Sequence, residues 1–193
     1  MFEFPDTAGR RITAWPEAKV PVWALWRSVL VIARGGVVHS GILDVGTGRA
    51  EGEPVAAQGY RTVPHTADLR IEAWAESRDD CVAEALRGLI ASFADISDVQ
   101  PARVLERLMA AGSDADLLAS AADEVIYILD VEGEIPVSVQ VRPAGAGIAV
   151  VLALARAEAA EITGAVPKAV SFHGLRCEPD ATGRWSASMT IDV

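Results

Sequence analysis

Apolar and polar positions alternate from Leu69 to Trp74. Leu69, Ile71 and Ala73 fall on one side and Arg70, Glu72 and Trp74 on the other, the pattern of a strand buried on one face. The period then changes. Ser77 precedes Asp80 at capping-box spacing, although the box prefers Glu or Gln there. Val82, Ala85, Leu86, Leu89, Ile90 and Phe93 form one stripe at helical spacing, and "DISDVQP" ends that helix. Val104 to Met109 is expected as a short strand. Ser113 or Asp114 opens a second helix with the stripe Leu117, Leu118, Ala121, Ala122, Val125, Ile126 and Leu129, closed by Asp130 to Glu134 with Gly133. "IPVSVQVR", "IAVVLALARAE", "AVSFHGLRC" and "WSASMTIDV" read as four strands. "RPAGAG" turns the chain after the first, and "EPDATGR" has the Asp, Thr and Gly of a hairpin turn before the last. The order β-α-(β)-α-β-β-β-β predicts an α+β fold, mostly antiparallel sheet with two main helices packed against it.

Upstream the pattern fades. "GTGRAEGEPVAAQGY", from Gly46 to Tyr60, is rich in Gly, Ala and Glu, lacks an apolar period and reads as a linker. The chain is therefore divided into an extension over 1–58 and a domain over 59–193. "VPVWALWRSVLVIARGGVV" in the extension is interrupted by Pro21 and Arg27 and is too short to span a bilayer. No cleavage pattern follows Arg10-Arg11, so no export signal and no membrane partner is expected. Glu51-Gly52-Glu53 can be encoded by a purine-rich run like a bacterial ribosome-binding site, and Val55 by GTG. One expectation is thus that translation begins near Val55.

Composition narrows the function classes. With 193 residues and 51% hydrophobic, 23% charged content the chain can build a real core. A net charge of −10 does not suit a broad basic face for phosphate backbones, so no direct stable nucleic-acid binding is expected. It suits a basic protein partner or a divalent cation. Cys81 and Cys177 lack CxxC spacing and are expected as two reduced thiols in or near the core, with a disulfide left open. A cytoplasmic location fits them.

The chemistry gathers at two places. Asp68 follows "PHTA" at the entry to the first strand, where an aspartate ordinarily bonds its own turn. Asp192 lies in the final strand beside Val193, whose free α-carboxylate adds a second negative group. If the first ordered strand lies near the last, Asp68, Asp192 and the Val193 carboxylate converge, and three anionic oxygen groups repel unless a cation sits between them. Hard oxygen ligands select Ca²⁺ or Mg²⁺ rather than zinc. The sequence does not show that adjacency. His65 and His173 invite a catalytic reading, but there is no GxSxG elbow, no i, i+4 histidine pair and no P-loop spacing. No catalytic residue is assigned; the histidines read as structural, and Lys168 as a solvated residue at a strand start.

These residues resemble the archease family. "HTAD" at His65–Asp68 with "LRIEAWAES" is similar to its opening motif and first long strand. "LLASAADEVIYILDVEG" is similar to its second helix, "PKAVSFHGL" to its K-A-V-T-Y-H-x-L strand, and "GRWSASMTIDV" to its terminal segment. The resemblance runs from about Tyr60 to Val193. It implies a non-catalytic helper of an RtcB-type 3′-phosphate/5′-hydroxyl RNA ligase, promoting guanylylation and turnover in tRNA splicing and RNA repair. It also implies a divalent cation, typically calcium, held by Asp68, Asp192 and Val193, which supplies the missing adjacency. Lys168, His65 and His173 fall on family motif positions and are carried over as part of the same functional face. Phe172 stands where Tyr is frequent, and Ala121-Ala122 where bulkier residues are common. Residues 1–58 lie outside the resemblance. Two other readings stay open: a small metal-dependent hydrolase using a histidine, and a chaperone-like protein-binding module without metal.

Overall fold

Strand periods in the sequence become antiparallel ladders, and the helical stripes pack between them. The computed structural model describes residues 57–64 and 68–193. In chain order the elements are β1 (Gly59–Pro64), β2 (Asp68–Ala75), α1 (Arg78–Ala91), β3 (Ala94–Asp95), β4 (Arg103–Met109), α2 (Asp114–Tyr127), β5 (Glu134–Ala144), β6 (Gly147–Arg156), β7 (Glu161–Ile162), β8 (Ala169–Pro179) and β9 (Trp185–Asp192). A four-stranded sheet runs β1-β2-β9-β8, a three-stranded sheet β4-β6-β5, and β3 pairs with β7. All of these pairs are antiparallel. Among the described residues the class is α+β, with two main helices, as the periodicity predicts.

Both helices touch both main sheets. α1 packs on β2 and β5, and α2 packs chiefly on β8 while reaching β4 and β6. Ile71, Ala73 and Ala75 of β2 and Ala187, Met189 and Ile191 of β9 are buried beneath them. So is the α1 stripe Val82, Ala85, Leu86, Leu89 and Ile90. β6, the middle strand of its sheet, is apolar almost throughout, as a strand covered on both faces must be. Truncating one of these buried Leu or Ile side chains to Ala costs about 2–5 kcal/mol.

Each helix starts at the serine that the spacing marks. The Ser77 hydroxyl accepts from the Asp80 N–H at 3.1 Å, and the Ser113 hydroxyl accepts from the Asp116 N–H at 3.1 Å. Each cap answers a backbone donor that the helix itself leaves unpaired, worth about 1 kcal/mol. α2 runs on into a π-helical turn, Ile128–Glu132, before the chain leaves at Gly133. Gly88 sets the spacing of α1 from the sheet. A Cβ there would stand 2.9 Å from Ile71 Cγ2 and 3.0 Å from Tyr60 Cδ2, so the helix rests closer than an alanine allows.

Three features depart from the sequence reading. Gly59 and Tyr60, assigned to the linker, open β1, an edge strand whose register places Tyr60 beside the buried Ala73. β3 and β7 have two residues each, too few to show a period. β8 is not a smooth strand. Ser171 pairs with Thr190 but Arg176 pairs with Ser188, so Phe172, His173, Gly174 and Leu175 stand opposite the single residue Met189. This bulge turns through Gly174 at φ 71°, a conformation that favours glycine, and leaves Phe172 69% exposed.

Candidate functional site

The β2–β9 ladder runs without a break from Ala75↔Trp185 to Asp68↔Asp192. Alternation therefore carries Asp68, Arg70, Glu72 and Trp74 to the outer face, opposite Asp192, Thr190, Ser188 and Ser186. The first and last long strands are neighbours, and the two aspartates form the terminal rung. Directly opposed residues have Cβ atoms about 5 Å apart, and like charges there destabilise the ladder. Among the described residues neither carboxylate has a hydrogen-bond or ion-pair partner. Val193 follows at once. It is half-buried and packs against the core, so the chain end is held beside the pair.

On its other side Asp192 pairs with Ala169, and its carbonyl accepts the Lys168 N–H at 2.9 Å. Lys168 is thereby fixed next to the aspartate rung, with its side chain exposed. His173 is not brought there. It lies four residues further along β8 inside the bulge, exposed, with its N–H donating to the Ser171 hydroxyl at 3.3 Å. His65 lies outside the described residues. Among the described residues no three His, Cys, Asp or Glu side chains converge as a metal cluster.

The neighbouring rungs carry positive charge that sequence reasoning passed over. Arg61, Glu72, Ser188 and Arg176 form one rung across all four strands, and Arg70 lies on the next. Arg61 Nε donates to Glu72 at 2.8 Å, and Arg70 Nε donates to the Ser188 hydroxyl at 3.0 Å. The Arg61 hydrogen bond, with the nearby Arg70 and Arg176 charges, holds the Glu72 carboxyl below its usual range. The alternation of β2 already put Arg70 and Glu72 outward; what was missing was which strands stand beside them. At the far end of the sheet a surface hollow of about 360 Å³ is lined by Ser77, Arg78, Asp79, Asp114 and Trp185, seven residues along β9 from Asp192. None of its lining residues is a nucleophile–histidine pair. No helix among the described residues is long and apolar enough to cross a membrane.

Comparison with known proteins bears on the whole described domain. Residues 60–193 match the Archease protein family. A "Probable protein archease" of Mycobacterium tuberculosis is 43% identical over 142 residues, covering 74% of this chain and 79% of that protein. A "Protein archease" of Methanopyrus kandleri is 24% identical over 149 residues, covering 69% of this chain and 99% of that protein. The solution structure of Methanobacterium thermoautotrophicum protein 1598 superposes with a TM-score of 0.57 at 20% identity, covering 70% of this chain and 99% of that one, and shows the shared fold. On the strength of the family match and the M. tuberculosis relative, the chain belongs to the archease family.

Proposed function

We propose that this protein is a non-catalytic activator of an RtcB-type RNA ligase, and that it works through the end of the four-stranded sheet where Asp68 meets Asp192. The observation that carries the site is that rung: two carboxylates face each other without a counter-charge, beside a chain end held against the core. Such a rung costs stability on its own and gains it when a cation is present. Its donors are all hard oxygens, which fit Ca²⁺ or Mg²⁺. Asp68, Asp192 and the Val193 carboxylate would hold the ion. Bound there, a divalent cation supplies positive charge suited to phosphate oxygens.

The chain's own residues do the rest. β9 is clamped between β2 and β8, which holds Asp192 against fraying. The Lys168 backbone N–H bonds the Asp192 carbonyl and steadies that end of β9, and the arginine rungs keep the adjoining face positive. The activator reading also rests on family membership.

Multiple-turnover RNA ligation by the host's RtcB-type ligase, with GTP and a divalent metal, tests both parts. Wild-type protein is expected to stimulate turnover and Asp68→Ala/Asp192→Ala is not. Equal stimulation by both would keep the partner and remove the site. Stimulation by neither would remove the activator reading.

A further inference from the structure

The helices cover one face of the four-stranded sheet, where Ile71, Ala73, Ala187 and Met189 are buried. The other face gathers arginines. Arg61 of β1, Glu72 of β2, Ser188 of β9 and Arg176 of β8 share one rung, and Arg70 lies one rung nearer the aspartates. Three guanidinium groups thus stand around one carboxylate. Arg61 Nε donates to one Glu72 oxygen at 2.8 Å. Arg70 Nε lies 3.4 Å from the other and donates to the Ser188 hydroxyl at 3.0 Å. Among the described residues Arg176 has no hydrogen-bond or ion-pair partner.

Elsewhere the proportion is reversed. Arg78 meets Asp79 and Asp114, and Arg103 meets Glu132 and Glu134. In a chain of net charge −10, three arginines around one acid are an exception. They are also reachable: the Arg61 side chain is 65% exposed and that of Arg70 41%, against 20% for Glu72, and Arg176 is exposed. Like charges held together on a surface repel, and an anion lying over them relieves the repulsion.

A guanidinium presents a planar fork of donors that matches phosphate or carboxylate oxygens. Successive rungs on one face are two residues apart, so Arg70 and the Arg61–Arg176 rung lie about 7 and 14 Å along the sheet from the aspartates. That spread suits a ligand with several anionic groups. An acidic peptide strand would add to a sheet edge, where backbone groups are open, rather than lie across a face. A single RNA strand does lie across an open antiparallel sheet, with bases stacked on exposed aromatic rings. Phe172, 69% exposed in the bulge that precedes Arg176, offers such a ring. Building on the activator reading, in which RNA is the partner's substrate, we infer that Arg61, Arg70 and Arg176 seat the phosphate groups of a single RNA strand on this face. The charge of the whole chain keeps the contact weak and strongly salt-dependent.

Fluorescence anisotropy of a labelled single-stranded oligoribonucleotide, titrated with the full chain at low salt, tests this without the ligase. Wild type should bind with a Kd of about 10⁻⁴–10⁻⁶ M, and three phosphate contacts should give log K against log salt a slope of about −2. Arg176→Ala should reduce that slope by about 0.7. Arg70→Ala/Arg176→Ala should bind about tenfold more weakly. Glu72→Gln removes the one acid and should tighten binding about two- to fivefold, a gain that misfolding would not produce. No anisotropy change up to about 10⁻⁴ M protein, arginine variants that bind like wild type, or tighter binding of a poly-glutamate peptide than of RNA would each overturn the inference, the last in favour of an acidic protein partner. Ligase stimulation by a wild type that binds no RNA would overturn this inference alone. RNA binding that depends on the arginines, without ligase stimulation, would support it and remove the activator reading.

Discussion

Glu84 and the Asp68–Asp192 rung show two ways of placing carboxylates in one small domain. Glu84 lies on α1 and is buried, and it is answered: Arg87 Nη1 donates to it at 2.6 Å and Gln58 Nε2 at 3.1 Å, while Arg87 Nη2 reaches the Val139 carbonyl at 2.7 Å. The other sheet follows the same habit. Arg103 bonds Glu132 and Glu134, Arg107 bonds Glu124 at 2.6 Å, and Arg142 bonds Glu106 at 2.6 Å. The aspartate rung has two like charges face to face and no such answer. Arginines stand one and two rungs away, yet they pair with Glu72 and Ser188. Each of these structural carboxylates has a cation from the chain. The rung without one is where the proposed external cation would sit.

The comparison can be broken first on the answered side. Arg87→Ala leaves a buried carboxylate with only Gln58, and should cost about 2–3 kcal/mol in urea unfolding. A loss under 0.5 kcal/mol would make Glu84 no better held than a surface acid. Next comes the unanswered side. With Ca²⁺ at about 100 times its Kd, the wild type should gain about 2.7 kcal/mol, seen as a higher Tm, and Asp68→Asn should gain nothing. A full gain in the variant would place the ion elsewhere. Without divalent ions, Asp192→Asn should stabilise by about 0.2–1 kcal/mol, because it removes one of two facing charges. Destabilisation would mean that Asp192 has a partner of its own.

The smallest effect is acid titration of the paired acids. Arg61 holds Glu72 below its ordinary value of 4.5, and Arg103 does the same for Glu134. A lowered folded-state value gives stability that is full above the unfolded value and is lost as pH falls through the folded one. Stability should therefore decline below about pH 4.5. Arg61→Ala should flatten that decline, as read from urea midpoints across the acid range.

Much of the fold was legible because it is written locally. β2 alternates cleanly, both helices carry their stripes and serine caps, and Asp180 announces the β8–β9 turn by accepting from the Thr182 N–H at 2.8 Å and the Arg184 N–H at 3.1 Å. β1 was missed because an edge strand needs little apolar pattern, and β3 and β7 because two residues have none. The bulge in β8 was invisible because "AVSFHGLRC" reads as an ordinary strand; only its partner strand counts the extra residues. The site divides in the same way. Asp68 and Asp192 were legible as acids at strand ends. Their meeting depends on a pairing between positions more than a hundred residues apart, which local periodicity does not encode. Resemblance to the family supplied it in advance, and the ladder places the two residues opposite each other. His173 was grouped with them by motif, and the bulge sets it apart.

β2 and β9 are both eight residues long and are paired along their whole length. They work as two matched rulers laid in opposite directions, and the aspartates are the marks that coincide at one end. Any side chain along them can be exchanged without moving those marks. One residue added to or removed from either strand shifts the mark by a rung and turns it through the sheet. The position of the site is thus stored as a number of residues more than as their identity. Lineages that keep it should vary freely in the spelling of these strands and hardly at all in their length.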